Sequence, residues 1–153
     1  MTFKSTFAVS FDWLLKTNAV FFSTFTVEIS SGFKIKVSLP NAVALKNNTN
    51  GLLTVSGISG NYLKIETLDN GSTELVGSIE NLESKNTGNG VLNAKRLIVK
   101  NAIIKAFGNG NVYVNVSELI TAKTFGNCTV INSGKAKFDA SSSSSGNSRY
   151  VNN

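Results

Sequence analysis

Apolar and polar residues alternate along this chain in short stretches that recur about every twenty positions. The period is marked by asparagines that precede glycine or cysteine, at Asn50-Gly51, Asn70-Gly71, Asn89-Gly90, Asn109-Gly110 and Asn127-Cys128. Their successive spacings are 20, 19, 20 and 18 residues. Spacing this regular predicts an internal structural repeat.

Each period holds two stretches with a period-two alternation, which is typical of half-buried strands. The predicted inward positions after each asparagine are Leu53, Thr73, Leu92, Val112 and Val130. The predicted inward positions seven residues before each asparagine are Val43, Leu63, Leu82, Ala102 and Ile120. Ile104 is also expected inside, and the expected outward residues are Lys64, Glu74, Glu83 and Asn93. A third short apolar piece follows in the better-formed periods, near Ile58, Ile79 and Ile98.

Two or three strands per period predict an all-β, right-handed parallel β-helix of about five to six coils. We expect this domain over residues 26–148, with repeats near 43–60, 61–79, 80–99, 100–117, 118–135 and 136–148. The chain shows no helical run of the length that a ββα repeat needs. A β-sandwich also fits regularly spaced short strands and stays open at this point, although the common register argues against it.

The two ends of the repeat need protection, because a bare end of a coil is an open strand edge. The alternating stretches at 26–29 and 33–37 predict a β-hairpin that caps the first coil. Residues 1–25 form a predicted N-terminal segment or cap, with a helical turn at 13–16. The serine run at 141–145 is expected to form either a solvated last turn or a flexible tail, and residues 149–153 are expected to be a tail.

The asparagine-glycine pairs have a structural interpretation and a functional one. Both residue types tolerate the left-handed backbone conformation, so each pair predicts a sharp corner, and stacked amides predict a hydrogen-bonded ladder. A row of amides presented to a ligand is the functional alternative. Phe107 and Phe125 fall in one column, which favours packing over a platform for a sugar.

Composition excludes several kinds of chemistry. The chain has 20 Asn, 19 Ser, 13 Thr and 13 Gly, but no His and a single Cys, so it can form no internal disulfide. The usual zinc, haem and copper sites, and nucleophilic sites that need histidine, therefore lack their side chains. The acidic residues, 3 Asp and 6 Glu, are scattered in the repeat. We predict no catalytic residues, no metal and no cofactor.

The net charge of +6 comes from 13 Lys and 2 Arg against the nine acids. The lysines occur singly and greatly outnumber the arginines, which favours a solvated surface over specific recognition of nucleic acid. Candidate ligand contacts are Lys64, Lys105, Lys123 and Tyr113, with weak, salt-sensitive attachment to anionic polymers as the expected effect. No apolar run is long enough for a transmembrane segment.

Several motifs together resemble one family, the auto-transporter adhesin head domain called the GIN domain. They are Leu-Pro-Asn-Ala-Val-Ala-Leu at 39–45, Leu-Lys-Ile at 63–65, Gly-Asn-Gly at 88–90, Gly-Asn-Gly-Asn-Val at 108–112 and Leu-Ile-Thr-Ala at 119–122. The resemblance implies a β-helical module of exported or surface proteins of bacteria, located at the cell surface, in the periplasm or outside the cell. It carries no catalytic residues over to this chain. The N-terminus shows no clear signal peptide, so either the chain stays inside the cell, or it begins after a signal or within a longer parent.

Three functions follow as hypotheses. The first is a non-enzymatic surface or cell-envelope module that binds a glycan, another surface polymer or a protein. The second is a polymer-forming structural β-helix similar to bactofilin, and the third is a polysaccharide-acting β-helix enzyme. The third requires clustered carboxylates that this sequence lacks.

Overall fold

The computed structural model describes residues 24–27, 34–38, 44–48, 50–68 and 70–153. These residues form strands and no helix. The strands are β1 (Thr24–Val27), β2 (Lys34–Ser38), β3 (Ala44–Asn48), β4 (Leu52–Ile58), β5 (Tyr62–Leu68), β6 (Ser72–Gly88), β7 (Val91–Gly108), β8 (Asn111–Gly126), β9 (Thr129–Asn132), β10 (Ser143–Gly146) and β11 (Arg149–Asn152).

Every strand pair among these residues is parallel, and the strands coil into a β-solenoid of about five turns. β6 pairs with β4 through its first part and with β5 through its second part, so one long strand covers two sides of a coil. β7 and β8 continue the same arrangement. The predicted all-β parallel β-helix is confirmed, and a sandwich is excluded by the parallel coil-to-coil register.

The core consists of columns in which each coil contributes one side chain at the same register position. Leu53, Thr73 and Leu92 form one such column, which continues through Val112 to Val130. The predicted inward residues that the structure describes are all buried, with at most 3% exposure: Leu53, Leu63, Thr73, Leu82, Leu92, Ala102, Ile104, Val112, Ile120 and Val130. The predicted inward residue Val43 lies outside the described residues. The four predicted outward residues are partly exposed. The alternation therefore identified the inner face of each strand correctly.

Polar side chains also lie inside the coil, at its corners. Asn86 is buried and its amide nitrogen donates to the carbonyl of Gly90 across the turn, at 3.1 Å. Buried Asn132 donates to the carbonyl of Ala136 at 2.7 Å and accepts from the amide of Val116 at 2.9 Å. These amides satisfy backbone groups that would otherwise be buried without partners where the strands break off.

The predicted N-terminal hairpin is wrong. β1 pairs with β3, and β2 pairs with β4, both in parallel, so the two strands form part of a first coil instead of pairing with each other. An alternating pattern indicates which residues face inward, but it does not distinguish a strand of a hairpin from a strand of a coil. The helical turn predicted at 13–16, and most of the predicted N-terminal segment 1–25, lie outside the described residues.

At the C-terminal end, the exposed serine run fits the expected solvated last turn, whereas the predicted tail differs from the expectation. Residues 149–152, predicted as part of a tail, form β11, which continues the column of β9. Within the serine run, Ser143 begins β10, which pairs with β8. The rings of Phe138 and Tyr150 contact each other in this last coil, with centroids 4.7 Å apart.

Candidate binding surface

One side of the solenoid carries four neighbouring columns of outward side chains. It is built by β3, β5, the second parts of β6, β7 and β8, and β10, which pair in that order. We call this side the lysine face, after the column formed by Lys46, Glu66, Lys85, Lys105, Lys123 and Ser143. Because parallel strands keep their register, side chains in one column lie about 4.8 Å apart along the solenoid axis.

The border of this face is a ladder of asparagine amides at the turns. Asn89 donates to Asn70 at 2.7 Å, and Asn109 donates to Asn89 at the same distance. Asn127 donates to Asn109 at 2.8 Å. A longer contact of 3.4 Å joins Asn70 to Asn50 at the start. The predicted ladder is confirmed.

The ladder has a further member that the sequence pattern did not include. The amide nitrogen of Asn147 donates to Asn127 at 3.1 Å. Asn147 stands 20 residues after Asn127 and so keeps the period. It was missed because serine, not glycine, follows it.

The glycines at these turns do not act as predicted. The positive φ angles belong to the glycine before the asparagine, namely Gly88, Gly108, Gly126 and Gly146. The glycine after it is needed because the coils approach closely. A Cβ on Gly110 would clash with the carbonyl oxygen of Gly90 and would lie 2.9 Å from the amide nitrogen of Asn86.

Cys128 replaces the second glycine in one turn, and the coil below compensates for its side chain. Gly110 lies over Asn86 of the preceding coil. One coil later, Ala106 takes the register position of Asn86, so the residue that lies beneath Cys128 is small. The thiol of Cys128 is buried and lies 3.2 Å from the Ala106 carbonyl oxygen. Together, Cys128 and Ala106 fill the corner that Gly110 and Asn86 fill one coil earlier.

The lysine column is exposed and only partly neutralised. Lys46, Lys85 and Lys123 are exposed, and the Lys105 side chain retains 41% of its accessible surface. Among the described residues, Lys105 pairs with Glu83 at 3.5 Å, and neither Lys85 nor Lys123 has an ion pair. Three consecutive lysines stacked in register repel each other, which opposes folding unless an anion lies over them.

Large apolar side chains flank this column. Phe107 and Phe125 form one neighbouring column and are 38% and 60% exposed. Ile103 lies on the other side, next to Lys105, and is 50% exposed. Of the seven large hydrophobic side chains exposed among the described residues, five lie on this face: Tyr62, Ile103, Phe107, Leu119 and Phe125. Most of the exposed large hydrophobic side chains in the described ranges therefore share the face that carries the lysine column.

A hydrogen-bonded carboxylate lies at the N-terminal part of the same face. The Tyr62 hydroxyl donates to Glu83 at 2.8 Å. This hydrogen bond, assisted by the charges of Lys105 and Lys64, lowers the pKa of Glu83. Partial burial, and then the contact with Glu83, raises the pKa of Tyr62. Glu83 is therefore held in its charged form, as an acceptor, rather than as a proton donor.

Among the other described carboxylates, Glu66 lies on the same face as Glu83, in the column of Lys85 and Lys105. Glu66 pairs with Lys64 at 3.8 Å, Glu74 with Arg96 at 3.3 Å, and Glu80 with Lys100 at 2.8 Å. Hydroxyls of Thr121 and Ser141 hold the pKa of Asp139 below its ordinary value. In the part of the chain that the structure describes, no three acidic, cysteine or histidine residues come together as a metal site.

The structure separates the predicted ligand contacts into two groups. Lys105 and Lys123 are register partners, and Lys64 lies on the same face in the neighbouring column. Tyr113 belongs to another side, where Lys95 lies 4.6 Å from the centre of its ring. Sequence reasoning missed Lys46 and Lys85, although counting back four residues from each ladder asparagine finds both, together with Lys105 and Lys123.

Comparison with known proteins gives a family. The model of the family described as "Putative auto-transporter adhesin, head GIN domain" matches residues 23–136. No curated protein and no solved structure matches the chain significantly. No helix in the described ranges has the length and apolarity to cross a membrane. Since the match covers about three quarters of the chain and includes most of the solenoid, the chain belongs to this GIN-domain family of auto-transporter adhesin heads.

Proposed function

We propose that the chain is a non-enzymatic binding module of the cell surface or cell envelope. One observation carries the proposal, namely the concentration of exposed apolar side chains on the lysine face of a rigid solenoid. A solenoid presents such a face as a long, flat surface, and repeat proteins use surfaces of this kind for binding. Membership of an adhesin-head family supports the same role.

A glycan array and a cell-binding assay with the purified chain test this function. We expect the chain to be retained on bacterial or host cell surfaces and to select some glycans over others. The matched control is the same chain with Phe107→Ser and Phe125→Ser, which keeps every charge but removes two exposed rings. Equal retention of the two proteins, or retention of neither, contradicts the proposal.

The two alternative functions have readouts of their own. An enzyme would release new ends from acidic polysaccharides in the presence of calcium, and we expect no such release. A polymer-forming protein would form filaments in electron micrographs of the purified chain, and we expect separate particles. Either positive result would replace the binding proposal with the corresponding alternative.

A further inference from the structure

We propose that the lysine face binds a linear acidic polysaccharide whose chain runs along the solenoid axis. This inference rests on the proposed function and names the ligand class and the site. The site consists of the stacked lysines Lys85, Lys105 and Lys123, with Phe107 and Phe125 beside them. It spans three successive coils.

The geometry of the column favours a linear ligand. Its ammonium groups project from equivalent positions of successive coils, so positive charge repeats along one line at about 4.8 Å. A small anion would neutralise one or two of these groups. A polymer that carries an acid group on successive units can neutralise Lys85 and Lys123, which have no ion pair among the described residues, and can also reach Lys105, which Glu83 contacts from one side.

The phenylalanines favour sugar units in that polymer. The two rings lie in the column directly beside the lysines and expose much of their surface. The C–H faces of a sugar ring pack against an aromatic ring while its acid group reaches the adjacent ammonium group. An acidic polymer without rings, such as polyphosphate, gains only the charge contribution.

The amide ladder supplies polar contacts at the border. Asn109 donates one hydrogen bond to Asn89 and accepts one from Asn127. A carboxamide has two N–H donors and two acceptor lone pairs, so the exposed Asn109 side chain retains capacity for sugar hydroxyls. The ladder thus holds the amides in place without using all of their hydrogen bonds.

Nucleic acid is the less favoured polyanion for this face. Arginine is the side chain best suited to phosphate groups. The two arginines of the chain lie elsewhere, Arg96 in register with Val76 and Arg149 in register with Thr129. The basic column is also a single line of lysines on a flat face, whereas single-stranded nucleic acid is bound in positively charged grooves.

The test measures binding of the purified chain to polygalacturonate, with dextran as the uncharged probe. The variant Lys85→Gln/Lys105→Gln/Lys123→Gln removes the column. The control Lys95→Gln/Lys100→Gln/Lys135→Gln removes the same charge from other positions. We expect the first variant to bind polygalacturonate about tenfold more weakly, since each exposed ion pair contributes a small factor. We expect the control to stay within about twofold.

A second comparison distinguishes polysaccharide from other polyanions. Phe107→Ala/Phe125→Ala is expected to weaken binding of polygalacturonate but not of polyphosphate, and Ile98→Ala, at a 58% exposed position on another side, serves as its control. Any one of three results would overturn the inference. The two lysine variants could lose polygalacturonate binding equally, or the phenylalanine change could leave that binding unaltered. The third result is that single-stranded DNA binds more tightly than polygalacturonate. If the glycan array is positive while polygalacturonate fails to bind, the proposed function stands and this ligand class does not.

Discussion

At the scale of single residues, the least satisfied group in the described core is the hydroxyl of Ser84. Ser84 is fully buried between Ile65 and Ile104 in an inward column, and its oxygen has no hydrogen-bond partner among the described residues. Burial of a polar group without a partner costs free energy. A single substitution of Ser84 can therefore remove this free-energy cost.

We expect Ser84→Ala to raise the free energy of unfolding by about 1 kcal/mol, because it deletes the unpaired hydroxyl. Urea denaturation measures this change. The matched control is Ser148→Ala, at a buried serine whose hydroxyl bonds to Thr124 at 3.0 Å and to the Ser145 carbonyl at 2.7 Å. The control should lower stability, and a loss of stability in both variants would contradict the prediction.

A second prediction at this scale concerns Glu83. Tyr62→Phe removes the hydroxyl that contributes most to lowering the Glu83 pKa, so that pKa should rise toward its ordinary value. A lowered folded-state pKa stabilises the fold above the unfolded-state pKa, and this stabilisation is lost as pH falls through the folded-state value. The stability difference between the two proteins should therefore shrink as the solution is made more acidic than the ordinary pKa of 4.5.

Carboxyl NMR titration follows each group separately. Asp139 is an internal control, because its pKa is lowered by hydroxyls of Thr121 and Ser141 and not by Tyr62. An unchanged Glu83 titration in Tyr62→Phe, or an equal change at Asp139, would show that the hydroxyl contact does not control the carboxylate.

At the scale of elements, each turn packs against a residue of the preceding coil. What the position after the ladder asparagine can carry depends on the residue beneath it, and Ser148, for example, lies over Thr124 and hydrogen-bonds to it at 3.0 Å. Asn86 lies beneath Gly110, and Ala106 lies beneath Cys128. The turn sequence is thus constrained by its neighbour in the stack and not only by its own backbone angles.

We predict a positive coupling between Ala106→Asn and Cys128→Gly. The first change alone overfills the corner and the second leaves a void, and each should cost about 1–3 kcal/mol. The double variant reproduces the Asn86 and Gly110 arrangement, so it should lose at least about 0.5 kcal/mol less than the sum. Equilibrium unfolding of all four proteins provides the cycle, and strictly additive losses would show that the two sites do not share a corner.

At the scale of the whole molecule, the described strands of each coil pair with the strands of the adjacent coils. β10 and β11 pair with β8 and β9, whereas β6 lies further along the stack. In a repeat protein, stability is approximately a sum of such neighbour contributions. Damage at one end is therefore expected to remain near that end.

Deletion of residues 141–153 should expose the edge of the coil beneath. Hydrogen exchange should show amides of β9 and the second part of β8 losing protection, while amides of β6 keep theirs. The β6 amides act as the internal control. A uniform loss of protection would mean that the solenoid unfolds as one unit and that the end coils stabilise all of it.

The pairing partners at both ends of the molecule illustrate what the sequence left open. The alternation at 26–29 and 33–37 is compatible with a coil and with a hairpin. The pattern therefore predicted strands but not the strands with which they pair. The serine run carries almost no apolar signal, yet Ser143 lies in β10 because β8 offers a strand edge. In both places, the available edge decided the pairing.

The sequence by itself determined the period, the inward columns and the asparagine ladder. These three features follow from local pattern. Apolar residues at every second position of a strand face the interior, and a period near twenty places equivalent residues above one another. The same period and alternation place Lys105 beside Phe107 and Lys123 beside Phe125. Only the tertiary structure decided that Tyr113 lies on a different side of the coil from these residues. The side on which an outward residue lies depends on where the coil bends, and bulges in β6 and β7 shift the register there. Those bends result from packing between coils, which no single repeat encodes.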